Sequence, residues 1–375
     1  MKIAFAIFKY FPWGGLQKDF LRMAAEVAAR GHETVCFTGS WEGDIPSFLE
    51  VRILPLKKHS NHARAEEFEE LFAQALEKEH FDRSVTCNRI GGADVYFAGD
   101  DCFAAAFAKR KNPILSLLPR YKIFLRQEKS ILEPNSKTHI LYLEERQKAD
   151  YIRIYGTQEE RFTLLPPAGD PRCMYSPETP AIRNQKRLEL NIKENQYLLI
   201  SVAADFHCKG IDRTIQAFAA LPENLRKQCV LCLIGGNDLK RRETFIQQAE
   251  RLGVAQQTIF AGSRDDVYAF LAAADLMVHP ARKEAAGAVI AEALASGIPV
   301  ICSGICGYAP LIGKAGNVIP EPFDMVEFQK LLEESLNELP QLKEQAMKTA
   351  GQMDVSKRTA CAADVIIGQP DRSAE

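Results

Sequence analysis

Short apolar runs recur along the chain, and within them apolar residues follow one another without alternation. In the first half they lie near Ile3–Phe8, Glu33–Phe37, Val51–Leu54, Arg83–Cys87, Val95–Ala98 and His139–Leu143. In the second half they lie near Tyr197–Val202, Cys229–Ile234, Thr258–Phe260, Leu276–His279 and Pro299–Cys302. Runs of this length and continuity predict strands buried on both faces. Amphipathic stretches such as Asp19–Arg30 and Asp212–Ala220 separate them and predict helices. Alternating β and α implies an α/β protein with parallel sheets covered by helices. The pattern restarts after Pro166–Pro180, which holds five prolines and suits neither helix nor ladder. This stretch reads as an interdomain hinge. The prediction is two Rossmann-like, doubly wound domains, 1–168 and 169–350, facing a cleft at the carboxyl ends of their strands.

Composition narrows the class. Of 375 residues, 46% are apolar and 26% charged, and the net charge is -2 from 47 basic and 49 acidic side chains. That is a globular chain with no overall field for nucleic acid. The N-terminal apolar run is too short for a signal-peptide core, and no run of about 18 apolar residues exists to span a bilayer. A cytoplasmic protein is expected. The 10 cysteines show no disulfide spacing and read as thiols. Cys229 and Cys232 form a CxxC, but inside an apolar run that reads as a buried strand. The seven histidines form no metal-binding pattern, so no protein-bound metal is expected.

The segment ADLMVHPARKEAAGAVIAEALASGIPVICS, residues 274–303, reads strand, loop, helix, strand. Glu284 falls in the loop, with Ala285, Ala286 and Gly287 opening the helix. Glu292 follows eight residues later, about 12 Å on if the interval is helical. That span matches an extended sugar diphosphate. Small residues at Ala285, Gly287, Ala288 and Val289 let a ligand approach backbone N–H groups, and a helix N-terminus favours phosphate. One carboxylate can then accept from sugar hydroxyls and the other from a ribose diol. From spacing alone the two acids read equally well as a cap-region acid and a solvated helix residue.

This segment resembles the E-x7-E signature of glycosyltransferase family 4, retaining enzymes of the GT-B fold. Further segments, FKYFPWGGLQKDF (8–20), SWEGD (40–44), DVYFAGD (94–100), KGIDR (209–213) and CGYA (306–309), are similar to the lipopolysaccharide core glucosyltransferases of Gram-negative bacteria. The resemblance runs over nearly the whole chain. It implies transfer of glucose from UDP-glucose to an inner-core heptose of lipopolysaccharide, with retention and without a bound metal or other cofactor. It also implies a C-terminal tail, 351–375, that crosses back to the first domain. The Gly14–Gly15 turn would lie against donor phosphate and sugar, Asp19 near the transferred hexose, and Asp100 against sugar or acceptor. Lys209 would neutralise the leaving diphosphate in place of a metal. Glu284 and Glu292 would hold donor hydroxyls, and Arg264 would contact uridine. The chain departs from the family at Cys208 and Cys173, where relatives carry arginines; Arg172 is the candidate to replace the second charge.

Residues 103–132 carry Lys109, Arg110, Lys111, Arg120, Lys122, Arg126 and Lys129 against one acid, Glu128, interleaved with aromatic and aliphatic side chains. That composition suits an anionic membrane surface, and the resemblance places a membrane-associating region here. A solvated basic helix packed on the core is the plainer reading. The protein is therefore expected to be cytoplasmic and peripherally attached to the inner membrane. Alternatives are a family 4 transferase using UDP-galactose or UDP-N-acetylglucosamine, a nucleotide-dependent dehydrogenase (no GxGxxG follows either first strand), and a catalytically degenerate membrane-bound interaction protein.

Overall fold

Thirteen strands form two sheets among the described residues, and every pairing is parallel. The computed structural model describes residues 1–12, 14–108, 110, 113–236 and 239–368. The chain divides into a first unit, Met1–Pro166 with the C-terminal segment from Lys357, and a second unit, Pro167–Ser356.

The first unit runs β1 (Lys2–Ile7), α1 (Gly15–Ala29), β2 (Glu33–Thr38), β3 (Leu49–Ile53), α2 (Asn61–Lys78), β4 (Arg83–Thr86), β5 (Val95–Phe97), α3 (Phe103–Ala108), α4 (Pro119–Leu132), β6 (His139–Tyr142), α5 (Glu145–Tyr155) and β7 (Phe162–Leu164). Its strand order is β3-β2-β1-β4-β5-β6-β7. The order reverses between β1 and β4, so the loops after those strands splay apart and open a crevice at their carboxyl ends.

The second unit runs α6 (Thr179–Glu189), β8 (Tyr197–Ala203), α7 (Ile211–Ala220), α8 (Glu223–Arg226), β9 (Cys229–Gly235), α9 (Leu239–Arg251), β10 (Thr258–Gly262), α10 (Val267–Ala273), β11 (Leu276–His279), α11 (Ala288–Ala295), β12 (Val300–Ser303), β13 (Gly316–Ile319), α12 (Met325–Asn337) and α13 (Leu339–Ala350). Its order, β10-β9-β8-β11-β12-β13, reverses between β8 and β11. A final helix, α14 (Lys357–Ile366), belongs to the first unit, where Arg30 pairs with Asp364 at 2.5 Å.

The central strands are buried along almost their whole length, which is why their sequences read as unbroken apolar runs. The two strands that the sequence pattern misses, β7 and β13, are edge strands of three and four residues. Their sequences, FTL and GNVI, are short and mix polar with apolar residues, so neither writes an apolar run. The core of the second unit packs Leu199, Leu231, Leu276 and Ile301 of the sheet against Ile215, Phe218, Phe245 and Phe328 of its helices.

The proline-rich stretch is only in part a hinge. The units part at Pro166/Pro167, but the residues that follow pack into the second unit. Tyr175 N–H donates to the Ala295 carbonyl at 2.8 Å, and Ser296 Oγ donates to the Cys173 carbonyl at 2.7 Å. Pro171 opens a 3-10 turn and Pro180 sits in the first turn of α6. Proline's missing N–H costs nothing there.

Candidate active site

In the second unit the loops after β8 and β11, the two strands at the order reversal, are stitched together. Cys208 donates its N–H to Asp205 Oδ1 at 2.9 Å, and its carbonyl accepts from the N–H groups of Arg282 and Lys283 at 2.8 and 3.3 Å. The Arg282 guanidinium grips both oxygens of Asp212, at 2.6 Å each. Gly210 turns the first loop at φ +70°, and a Cβ there would lie 2.1 Å from the Pro280 carbonyl oxygen. Only glycine permits that approach.

The stitching brings Lys209 to Glu284. Nζ lies 2.7 Å from Glu284 Oε2 and 3.3 Å from the Lys283 carbonyl. The same Oε2 lies 3.0 Å from Nε2 of His279, a side chain 1% exposed at the end of β11. Burial raises the Glu284 carboxyl. The His279 hydrogen bond and the Lys209 charge outweigh it and bring the pKa down to about 2. An ionised Glu284 accepts here, so His279 carries a proton on Nε2 and donates it. The sequence reading missed His279, whose one signal is its position five residues before Glu284 at the end of a buried strand.

The helix after this loop starts later than the sequence suggests. Gly287 is its N-cap at φ +95°, Ala285 and Ala286 remain in the loop, and α11 begins with Ala288 and Val289. The loop after β12 fixes the turn, because Gly307 and Tyr308 N–H groups donate to the Ala285 and Ala286 carbonyls at 2.7 and 2.8 Å. CGYA thus holds the Glu284 loop through its backbone. Glu292, one turn into α11, accepts from the Asp170 N–H at 2.9 Å, and Gly169 passes so close that a Cβ would lie 2.5 Å from Glu292 Cγ. It is a half-buried side chain packed on the residues before the 3-10 turn, not a free helix-face acid.

Arg172 and Arg264 are exposed but paired within their own turns. Arg172 holds Asp170 at 2.6 Å and stacks on Tyr268, and Arg264 holds Asp266 at 2.8 Å. Cys208 is half-exposed beside His207, whereas Cys173 is buried. All 10 cysteines are free, and Cys229 and Cys232 are buried in β9. Among the described residues no group of three His, Cys, Asp or Glu side chains is arranged to hold a metal ion.

In the first unit, Gly14 caps α1 and Gly15 begins it. Asp19 therefore lies in the second turn and does not open the helix. Its Oδ2 is 3.2 Å from Arg358 Nη1 of α14, and Arg358 Nε donates to the Pro166 carbonyl at 2.8 Å. Burial pushes the Asp19 carboxyl up, opposed by Arg358 and Arg22. Asp100 does not end a strand. It stands three residues beyond β5, exposed, with Oδ2 3.5 Å from Arg89 Nη1.

Of the basic residues, Arg110, Arg120, Lys122, Arg126 and Lys129 are exposed, while Lys109 and Lys111 lie outside the described residues. Arg126 is not a free surface charge, since it pairs with Glu66 and Glu69 of α2 at 3.2 and 2.8 Å. Glu128, the one acid of this segment, is 1% exposed and accepts from the Phe103 and Ala104 N–H groups, Arg89 and the Tyr155 hydroxyl. It caps α3 and stays off the surface. Ile114, Leu117 and Leu118 are exposed beside the cations. Among the described residues no helix is long and apolar enough to cross a membrane.

Residues 182–353 match the family described as glycosyl transferases group 1. Along its length the chain is 40% identical to the lipopolysaccharide glucosyltransferase WaaG of Escherichia coli (strain K12), over 99% of this chain and 100% of that protein. A crystal structure of WaaG, described as a glycosyltransferase involved in lipopolysaccharide biosynthesis, matches with a TM-score of 0.89 at 41% identity, over 98% of this chain and 100% of that one. The fold alone is shared with Anabaena HepE, solved in complex with UDP-glucose, at a TM-score of 0.72 and 17% identity over 98% and 100% of the two chains. Two Rossmann-like units with these relatives define a glycosyltransferase of the GT-B fold. Within that class, the chain belongs to the family of the WaaG lipopolysaccharide glucosyltransferase.

Proposed function

We propose that this protein transfers glucose from UDP-glucose to a heptose of the lipopolysaccharide inner core, with retention, at the cytoplasmic face of the inner membrane. The observation that carries this reading is the full-length 40% identity to a lipopolysaccharide glucosyltransferase. It is supported by the Lys209–Glu284–His279 cluster at the switch point of the second sheet.

In this reading the donor's diphosphate lies at the start of α11, against the N–H groups of Ala288 and Val289, which have no acceptor within the helix. Lys209 carries the charge that develops on the leaving phosphate, so no metal is required. Glu284 orients Lys209 and accepts from sugar hydroxyls, Glu292 serves the ribose, and Arg264 and Arg172 line the nucleotide side. Gly14, Gly15, Asp19 and Asp100 are the sugar-contacting candidates of the first unit. Retention proceeds on one face of the sugar, with the leaving phosphate taking the acceptor's proton. A trapped glycosyl-enzyme would refute that route. Donor choice is tested by UDP release with UDP-glucose, UDP-galactose and UDP-N-acetylglucosamine. Preference for either of the latter two overturns glucose while keeping the reaction class.

The family resemblance implies a second cation beside Lys209, where this chain has Cys208. Cys208→Arg is expected to lower the KM for UDP-glucose several-fold with little change in kcat, because an added guanidinium binds diphosphate in ground and transition states alike. An unchanged or higher KM contradicts this.

The exposed cations of α3–α4, with Ile114, Leu117 and Leu118 beside them, are proposed as the membrane-docking face. Each cation near an anionic surface contributes about 1 kcal/mol. Flotation with phosphatidylglycerol vesicles is expected to carry the protein, and Arg120→Gln with Lys122→Gln to weaken it about thirtyfold. Equal binding to neutral vesicles contradicts the electrostatic account.

A further inference from the structure

The loop between β5 and α3 carries the exposed carboxylate of Asp100 on a backbone that is fastened from two sides. Gln147, in the first turn of α5 and 3% exposed, donates from Nε2 to the Ala98 and Asp100 carbonyls at 2.7 Å each. Its Oε1 accepts from the Leu143 N–H at 3.0 Å, which fixes which end of the amide is the donor. Arg89, in the loop after β4, donates from Nη2 to the Asp101 carbonyl at 2.7 Å and from Nε to Glu128 Oε1 at 3.1 Å. The Ala98, Asp100 and Asp101 carbonyls are thus all engaged before the chain enters α3 at Phe103.

Holding a loop in this way takes an amide and most of a guanidinium out of water, whereas surface loops ordinarily leave their carbonyls to solvent. The side chain that the loop presents is nevertheless left open. Asp100 is 67% exposed, and its one ion pair among the described residues is with Arg89 Nη1, 3.5 Å from Oδ2. That separation suits charge attraction but is too long for a good hydrogen bond. Arg89 therefore orients the carboxylate through its charge and leaves the lone pairs to accept from elsewhere. The same guanidinium is tied to the helices that follow. Glu128 of α4, its partner, also accepts from the Phe103 and Ala104 N–H groups that begin α3, at 2.6 and 2.8 Å. Asp100 stands at the fixed foot of α3 and α4, the proposed membrane-docking helices.

We infer that Arg89 and Gln147 are positioning residues for the acceptor. They hold Asp100 so that its carboxylate accepts charge-assisted hydrogen bonds from hydroxyls of the acceptor sugar. The inference rests on the proposed function, which brings a lipid-anchored sugar to the foot of these helices. Neither Arg89 nor Gln147 touches the sugar. Their part is to fix the place of a group whose displacement by about 1 Å costs on the order of a hundredfold in rate.

The test is a double-mutant cycle on the full chain. It is read as kcat/KM for a deacylated, heptose-terminated inner-core oligosaccharide at saturating UDP-glucose, so that membrane docking does not enter. Asp100→Asn is expected to lower this by about tenfold to a hundredfold, the range for a hydrogen bond to a charged group. Arg89→Lys keeps a cation beside Glu128 and loses the planar fork. It is expected to cost about tenfold and to leave the UDP-glucose KM unchanged. In the Asp100→Asn background the same change should cost less than about twofold, because its effect runs through the carboxylate. Equal losses in both backgrounds are the mark of a merely structural role and overturn the inference. An unchanged acceptor kcat/KM in Asp100→Asn also overturns it. Gln147→Met, which keeps the length of the side chain without its donors, should repeat the pattern and serves if Arg89→Lys does not fold. If the wild type binds the oligosaccharide in calorimetry without turning over UDP-glucose, the proposed donor fails and the cycle is read on binding instead. An oligosaccharide that neither binds nor reacts overturns the proposed acceptor and this inference together. Binding that Asp100→Asn leaves unchanged overturns the inference alone.

Discussion

Glu284→Gln is expected to lower kcat/KM for sugar transfer by about 10²–10³-fold. The amide keeps the shape of the side chain and removes the charge that holds Lys209 at 2.7 Å and His279 at 3.0 Å. Lys209 would keep only the Lys283 carbonyl at 3.3 Å, a weak tether for an ammonium that must meet a phosphate. Lys209→Gln should cost a similar factor, and the double variant little more than either single one, because the two act as a unit. Steady-state kinetics with saturating acceptor checks this; additive losses contradict it. The pH profile adds a second check. Glu284 titrates near 2 and is ionised throughout the working range. It therefore creates no acid limb between about pH 5 and 8, and a limb there that disappears in Glu284→Gln contradicts the assignment.

Asp275→Asn is expected to destabilise the second unit by about 3–5 kcal/mol while leaving the donor KM unchanged. Asp275 is 2% exposed and accepts from Arg183, Arg187 and Lys343 at 2.7, 2.9 and 2.5 Å, and from the Leu198 N–H at 2.7 Å. Removing its charge strands three cations, Arg187 among them nearly buried. Burial pushes the carboxyl up, but Lys343 and Arg183 prevail and hold it below its usual range. A depressed carboxylate contributes stability above its unfolded pKa of about 3.9, lost as pH falls through the lower folded value. The gap between wild type and variant should be full at pH 7 and narrow as pH falls below about 3.9. At about 2–4 °C per kcal/mol, the melting temperature at pH 7 should fall on the order of 10 °C. A shift of one or two degrees contradicts the network. Asp275 precedes β11 and Glu284 follows it, so the lesion lies at the far end of the strand from the site.

The central strands were legible because burial on both faces writes an unbroken apolar run, as in Ile3–Phe8 and Leu276–His279. The strands β7 and β13 were not, since FTL and GNVI are too short and too mixed in polarity to stand out. The proline-rich stretch misled in part, because proline reports local backbone preference and says nothing of what the segment packs on. Glu284 and Lys209 stood out, but their contact depends on β8 and β11 being neighbours, which no local pattern encodes. The contact of His279 with Glu284, the packing of Glu292 against Gly169 and Asp170, and the burial of Glu128 beside Phe103 and Ala104 likewise rest on tertiary contacts that no local pattern names. The pairings of Arg172 with Asp170 and Arg264 with Asp266 are two residues apart and could have been read from the sequence. Neither spacing nor composition names a sugar or an acceptor; the reaction became legible through family resemblance.

The most direct test of the central claim is UDP release by the purified protein given UDP-glucose and a truncated, heptose-terminated lipopolysaccharide. The account predicts release that requires the acceptor, is lost in Glu284→Gln, and yields glucose on the heptose. Release that is independent of the acceptor, or no release with any UDP-sugar, would contradict it.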